Sequence, residues 1–327
     1  MEPTLRPACA FLLILLAAQA LSSAPPQAPA APPSSPRLIV LGTAQDGGLP
    51  HAACTCERCQ RARKDPAFRR HIAGLALQLP KSDQIWLVDA TPDLREQLDR
   101  VAALRNRPQG GVDRAPVDGV LLTHAHIGHY LGLAFFGFEA VSTSKLPVWA
   151  SPRMAEYLRT NGPWSQLVRI ENIALREFRP GEPFALGDGV TVTALQVPHR
   201  DEYSDTMAFL FKGPRRTVLY VPDTDAWRTW KRPLPQVLLE EKVSVALLDG
   251  TFYSPDELPG RDVTKIPHPL ITATMDLLGP LVKSGGLKVE FIHLNHSNPA
   301  LVPEGEVRKA MEARGFRVAE EGEEIDF

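Results

Sequence analysis

The stretch LLTHAHIGHYLGL (121–133) places His124, His126 and His129 within six residues, directly after an apolar run. In extended or loop backbone, residues i and i+2 point the same way, so His124 and His126 can converge on one ion. His129 comes three residues later, where a turn or helix start would aim it at a neighbouring ion. Neutral imidazole suits zinc, manganese and iron. Three histidines and a carboxylate leave room on an ion for water, the nucleophile of a hydrolytic site.

The other histidines are unevenly spread. The chain has nine, at 51, 71, 124, 126, 129, 199, 268, 293 and 296. Several close apolar runs: LLTH, LQVPH and FIHLNH. YVPDTD puts Asp223 in the same kind of position. A second constellation is C-T-C-E-R-C at Cys54, Cys56 and Cys59. Three thiolates and one imidazole make a tetrahedral zinc site chemically reasonable. His51 and His71 are both in reach as the fourth ligand, and His71 is favoured because a more distant ligand would pin the knuckle to the domain. A disulfide is the competing reading, since an oxidising compartment is expected, although three mature cysteines leave one thiol over.

These residues need elements to position them. PRLIVLG, AGLALQL, QIWLVDA, VDGVLLT, LPVWAS, VTVTALQV, MAFLFK, TVLYVPD, VSVALLDG and VEFIHLNH read as strands. TPDLREQLDRVAAL has helical apolar spacing, with Thr91 as N-cap and Pro92 in the first turn. Asp89 therefore closes a strand just before a helix. SPRMAEYLRTNG, ITATMDLLGPLVKSGG and PEGEVRKAMEARG also read as helices, and FRVAEEGEEIDF as a terminal strand pair. Strands outnumber helices and chemistry-bearing residues sit at strand ends, which indicates a layered α/β or α+β domain.

The N-terminus is separate. MEPTLRPACAFLLILLAAQALSSAPP carries an apolar run from Ala8 to Ala18, shorter than the ~20 residues of a membrane span. With an A-x-A site after Ala20 it reads as a secretory signal peptide (1–20), with a membrane anchor as the alternative. A Pro/Ala/Ser linker (21–36) follows, then one domain (37–327). A secreted or periplasmic location is expected. A net charge of −2 gives no electrostatic footprint for nucleic acid or anionic lipid. The expected partner is a small-molecule substrate. No nucleic acid is expected and, after signal cleavage, no membrane; a homodimer is left open.

The order Asp89, H-x-H-x-x-H at 124–129, His199, Asp223 and a late histidine resembles the metallo-β-lactamase-fold superfamily over roughly 38–327. Within it, GTAQDGGLPHAACTCERC and FIHLNHSNPAL resemble the Gly-rich opening, cysteine knuckle and late I-H-x-N-x-x-N-P segment of the pyrroloquinoline-quinone biosynthesis protein B family. Phosphodiesterases of phosphonate metabolism share the knuckle and a similar ligand order. The resemblance implies a four-layer αββα sandwich. It implies that His124, His126 and His199 hold a first metal, that His129 and a late histidine hold a second, and that Asp223 bridges them. His293 is favoured as the late ligand, with His296 as an additional candidate. Asp89 would orient the site through hydrogen bonds, and His268 would serve as general acid. Zn²⁺, or Mn²⁺ or Fe²⁺, is the expected ion.

One departure matters. Gly128 stands where the superfamily carries an aspartate that ligates the second metal. Loss of that anion predicts one tightly held ion and a second that is weak or absent. The implied activity is a metal-dependent hydrolase, with phosphodiester or ester-type substrates first. The alternative is an accessory metal-binding or oxidising protein of quinone cofactor biosynthesis. RKDPAFRRH reads as surface and EEGEE as a solvated turn. Asp201, Glu202 and Asp205 read as loop residues, Asp249, Thr251 and Tyr253 as pocket lining, and 254–268 as a flap or connecting loop.

Overall fold

The computed structural model describes residues 35–105, 110–258, 260 and 267–327. The signal peptide, most of the linker and the middle of the 254–268 segment lie outside the described residues. Seven strands form a first sheet: β1 (Arg37–Gly42), β2 (Gly74–Leu79), β3 (Gln84–Val88), β4 (Gly119–Leu121), β5 (Leu146–Ala150), β6 (Ile173–Glu177) and, at the C-terminus, β14 (Glu324–Asp326). The second sheet holds β7 (Pro183–Gly187), β8 (Val190–Val197), β9 (Thr206–Lys212), β10 (Thr217–Val221), β11 (Val245–Asp249), β12 (Lys288–Ile292) and β13 (Phe316–Val318). Both sheets are mixed. In the first, β1–β3 are antiparallel and β3–β6 parallel; in the second, β7–β10 are antiparallel and β10–β13 parallel.

The layering follows from the two-residue period of a strand. In β1, Leu38 and Val40 enter the core between the sheets, while Ile39 and Leu41 enter a core beneath helices. In β9, Met207, Phe209 and Phe211 face the first sheet, while Ala208 and Leu210 face the other way. β10 splits likewise, with Val218 and Tyr220 inside and Leu219 and Val221 outside. Both faces of these strands are apolar, so each sheet needs a cover on its outer side. Helices α2 (Leu94–Ala102), α4 (Pro152–Thr160) and α5 (Trp164–Arg169) cover the first sheet. Helices α6 (Leu234–Glu240), α7 (Ile271–Lys283) and α8 (Glu306–Ala313) cover the second. Short α1 (Glu57–Lys64) and α3 (Ile127–Tyr130) carry parts of the sites instead. The result is the αββα sandwich.

Three local expectations are corrected. Helix α2 is capped by Asp93, not Thr91; the Thr91 hydroxyl accepts from the Asp93 amide (3.1 Å) and donates to Gln97 (2.8 Å). The terminal strands do not pair with each other: β13 joins β12, and β14 crosses to β1. The acidic turn between them is only partly solvated. Glu321 is half-buried, accepts from Arg100 (2.6 Å) and pairs with His71 Nδ1 (3.0 Å).

That pair makes a pH-dependent contribution to stability. The hydrogen bond to Glu321 raises His71 above its ordinary 6.5, against burial. Burial opposes ionisation of Glu321, but His71 and Arg100 hold it below its ordinary 4.5. The His71 contribution is present below 6.5 and fades as pH rises through the raised folded value; the Glu321 contribution is present above 4.5 and fades as pH falls through the lowered one. Glu321→Gln should therefore destabilise most between those values, with a smaller loss at pH above the raised His71 value, where only Arg100 and the His71 backbone amide still donate to Glu321. Urea melts of both proteins across pH check this, and a loss that stays constant as pH rises from about 6 through the alkaline range would exclude a His71 contribution.

Candidate metal centre

The edge of the sandwich where β3, β4, β10, β11 and β12 end gathers the histidines. Strand β4 ends at Leu121; His124 and His126 follow in the turn into α3, and His129 lies within α3. Asp223 follows β10, Asp249 ends β11 and His293 follows β12. Asp89 and His293 both adopt left-handed backbone (φ 68° and 64°). Such conformations cost of order 1–3 kcal/mol and persist where surrounding structure fixes them.

Asp223 is the centre of the first group. Its Oδ2 lies 3.1 Å from His199 Nε2, 3.3 Å from His124 Nε2 and 3.7 Å from His126 Nδ1. A tetrahedron of ligands about 2.1 Å from an ion has edges of about 3.4 Å, so these spacings fit one cation. His199 Nε2 and His126 Nδ1 face each other at 3.2 Å. Two inward lone pairs at that distance repel unless a cation lies between them.

The outer nitrogens settle which nitrogen faces inward. His126 Nε2 donates to Glu202 (3.0 Å), and His199 Nδ1 to Asp225 (3.0 Å). His129 Nδ1 donates to Asp89 Oδ2 (2.7 Å). The Thr123 hydroxyl is committed to the Asp89 carboxylate, so it accepts from His124 Nδ1 (3.0 Å). His293 Nδ1 contacts the Thr251 hydroxyl (3.0 Å). Outer partners of this kind fix the tautomer and ring orientation of ligating histidines. Asp89 thus stands where the resemblance implies. Glu202 lies on the loop after β8, as read, and from there buttresses His126.

A second group comprises Asp46, His129 and His293. Asp46 Oδ1 is 3.6 Å from both His129 Nε2 and His293 Nε2. Asp46, in the loop after β1, is the site residue the sequence reading missed; an aspartate in a Gly-rich turn looks like ordinary turn chemistry. Among the described residues, five buried atoms at this centre have no partner in hydrogen-bond geometry: Asp46 Oδ1, His124 Nε2, His129 Nε2, Asp223 Oδ1 and His293 Nε2. An unsatisfied buried polar atom costs about 1–3 kcal/mol. Convergent orphaned acceptors and imidazole nitrogens fit cations.

The electrostatics differ between the ligands: burial opposes protonation of His129 and His199, but Asp89 and Asp46 push His129 up to about 9 and Asp223 raises His199, so a cation entering there would displace a proton. Burial, followed by neighbouring His129, pushes His124 well below its usual value and keeps it neutral, as ligation requires. Burial opposes ionisation of Asp223, but His268 and the surrounding histidines hold its carboxyl far below the usual range. Asp46 is likewise held low by His293 and His129 against burial. His268 Nδ1 lies 2.9 Å from Asp249 Oδ2 and 3.3 Å from Asp223 Oδ1; burial opposes its protonation, but these carboxylates push it up to about 9. On its other side His268 lines a cavity of about 540 Å³ walled by Trp227, Trp230, Leu234, Leu270 and Leu277.

The cysteine knuckle is corrected in one ligand. His296 Nδ1 lies 3.5 Å from Cys54 Sγ and 3.6 Å from both Cys56 Sγ and Cys59 Sγ. About 3.6 Å is the sulfur–nitrogen edge expected for tetrahedral zinc with bonds near 2.3 and 2.1 Å. His296, placed among the catalytic ligands by the sequence reading, therefore belongs here. His71 does not, because Glu321 and Arg100 hold it elsewhere. His51 packs its ring on His296 at 4.4 Å, and its amide donates to Cys59 Sγ (3.3 Å).

Two face-to-face mixed sheets, helices outside, and histidines and carboxylates at one strand-end edge define a metallo-β-lactamase-type sandwich. The chain belongs to the beta-lactamase superfamily, whose domain matches residues 85–281. It is 29% identical over 309 residues to coenzyme PQQ synthesis protein B of Methylobacterium sp. (strain 4-46), spanning 88% of this chain and 98% of that protein. The protein of that name from Xanthomonas campestris pv. campestris (strain B100) is 27% identical over 313 residues, spanning 89% and 100%. Among solved structures, Zn(2+)-bound PqqB from Methylobacterium extorquens superposes with a TM-score of 0.73 at 21% identity, spanning 89% of this chain and 100% of that one. A diphosphatase of the PhnP family superposes with a TM-score of 0.62 at 20% identity, spanning 89% and 97%. These two share the fold. The superfamily match stops short of Asp46, the knuckle and His293 on either side.

Proposed function

We propose that the chain is a metal-dependent hydrolase acting on a phosphodiester or ester-type substrate. The observation that carries this is the set of inward nitrogens of His124, His126 and His199 around Asp223, each ring held from outside by a hydrogen-bond acceptor. These four residues would hold the ion. Such an ion supplies Lewis acidity, drawing charge from a substrate oxygen and easing proton loss from water. Asp89, Glu202 and Asp225 keep the imidazoles in the ligating tautomer. His268 is hydrogen-bonded through Nδ1 to Asp249, which leaves its other ring nitrogen to carry a proton to the leaving group. The apolar cavity beside His268 fits a substrate with an apolar or aromatic substituent.

Metal removal tests this reading. Zinc- or manganese-loaded protein should turn over bis-p-nitrophenyl phosphate or a p-nitrophenyl ester, dialysis against chelator should abolish turnover, and the same metal should restore it. Absence of turnover with zinc, manganese and iron would sink the hydrolase. The second reading, an accessory role in quinone cofactor maturation, is favoured by the likeness to coenzyme PQQ synthesis proteins over 88% of the chain. It predicts metal binding without turnover in the same assay.

A further inference from the structure

We infer that Asp46 is the anionic ligand of a second metal position, standing in from the β1 loop for the carboxylate that residue 128 lacks. This rests on the metal-centre reading above. The steric observation is specific. A Cβ built on Gly128 would collide with the Asp46 carboxylate and crowd its Cα, so residue 128 cannot carry a side chain while Asp46 occupies its place. Nor does the backbone call for glycine there. Residue 128 lies within α3 and has no positive φ, so any L-residue could adopt its conformation. The space taken by Asp46 is the reason for Gly128.

Asp46 is aimed, not merely present. Among the described residues its buried Oδ1 has no hydrogen-bond partner, and it lies 3.6 Å from the equally orphaned Nε2 atoms of buried His129 and His293. Its loop is pinned to the segment that carries His293. The Gln45 amide donates to the Leu294 carbonyl (2.9 Å), and the Leu294 amide donates to the Thr43 carbonyl (2.9 Å). Gly48 closes the turn by donating to the Gln45 carbonyl (2.7 Å). Asp46 and His293 are thus held by one backbone arrangement. With Asp46 supplying the anion that residue 128 lacks, the centre should hold two ions.

The test is a positional exchange read by metal content. Full-length protein, loaded with Zn²⁺ and desalted, is counted by mass spectrometry, with thermal melts to certify folding. Wild type should retain three ions per chain, one at the knuckle and two at the centre. Asp46→Gly should retain two, and Asp46→Gly combined with Gly128→Asp should regain the third. Asp46→Asn, which fits the same space without the charge, should weaken one ion by at least about 10-fold in competition with a chromophoric chelator. Folded Asp46→Gly and Asp46→Asn proteins that bind all ions as wild type does would overturn the assignment. Loss of one ion in His126→Ala but none in Asp46→Gly would sink the Asp46 assignment alone. A wild-type chain holding only the knuckle ion, with a count unchanged by His126→Ala, would sink the metal centre itself.

Discussion

On the proposed hydrolase reading, Asp223→Asn is expected to lower kcat/KM for an activated phosphodiester by more than ~100-fold while the protein remains folded. The lower bound comes from outer partners of metal ligands, whose loss alone costs 10–100-fold; Asp223 sits one step further in. Its two oxygens face four imidazoles that arrive from three separate segments: His124 and His126 after β4, His199 after β8, and His268 before α7. Asparagine keeps the shape but removes the charge. It also presents an amide that must donate towards nitrogens whose lone pairs point at it. The effect should divide into weakened metal retention at the His124 group and loss of rate at saturating metal. Fold should survive, because the buried charge is itself opposed by desolvation and the amide carries none. Steady-state kinetics at several metal concentrations, with metal content and a melt on the same sample, check this. A variant within tenfold of wild type at saturating metal would remove Asp223 from the centre of the mechanism.

What could be read in advance divides along a physical line. The apolar strands and the histidines that close them were legible because strand periodicity and strand ends are local signals. His124, His126, His199, Asp223 and His293 lie one to five residues after a strand end, and His129 is in the short helix that follows β4. What was hidden depends on contacts made far along the chain. Asp46 acquires meaning only when the β1 loop meets α3, and no periodicity announces that meeting. His71 looked the better knuckle partner than His51 because a more distant ligand would pin the knuckle to the domain, yet β1 and β2 pair so that His71 turns towards Glu321. His296 reaches the thiolates because the segment after β12 is bridged to the loop after β1 through Ala44 and Leu294. The same logic separates β13 from β14: two adjacent short strands looked like a hairpin, but each completes a different sheet edge.

His296→Ala is the second change expected to act strongly, and it should damage a centre it does not touch. His293 and His296 lie three residues apart on one segment, and Leu294 between them is tied to Thr43 and Gln45 on either side of Ala44. Asn298 continues the restraint by donating to the Gly250 carbonyl (2.8 Å), next to Asp249. A zinc held by three thiolates and His296 would therefore clamp the only stretch that carries both His293 and the partner strand of the Asp46 loop. Structural zinc contributes folding free energy directly. Removing its histidine leaves Cys59 buried beside an unfilled ligand position and frees the segment at one end. The expected result is release of one zinc per chain, a melting temperature lower by roughly 5 °C or more, and a fall in turnover that excess metal at the centre does not repair. His296→Cys, which can restore a fourth thiolate, should recover zinc content and part of the melting temperature. The diagnostic is the coupling: His126→Ala should abolish turnover with little change in melting temperature, whereas His296→Ala should lower both together. If His296→Ala loses its zinc and keeps full turnover, the knuckle is a free-standing staple and the clamp on His293 does not exist.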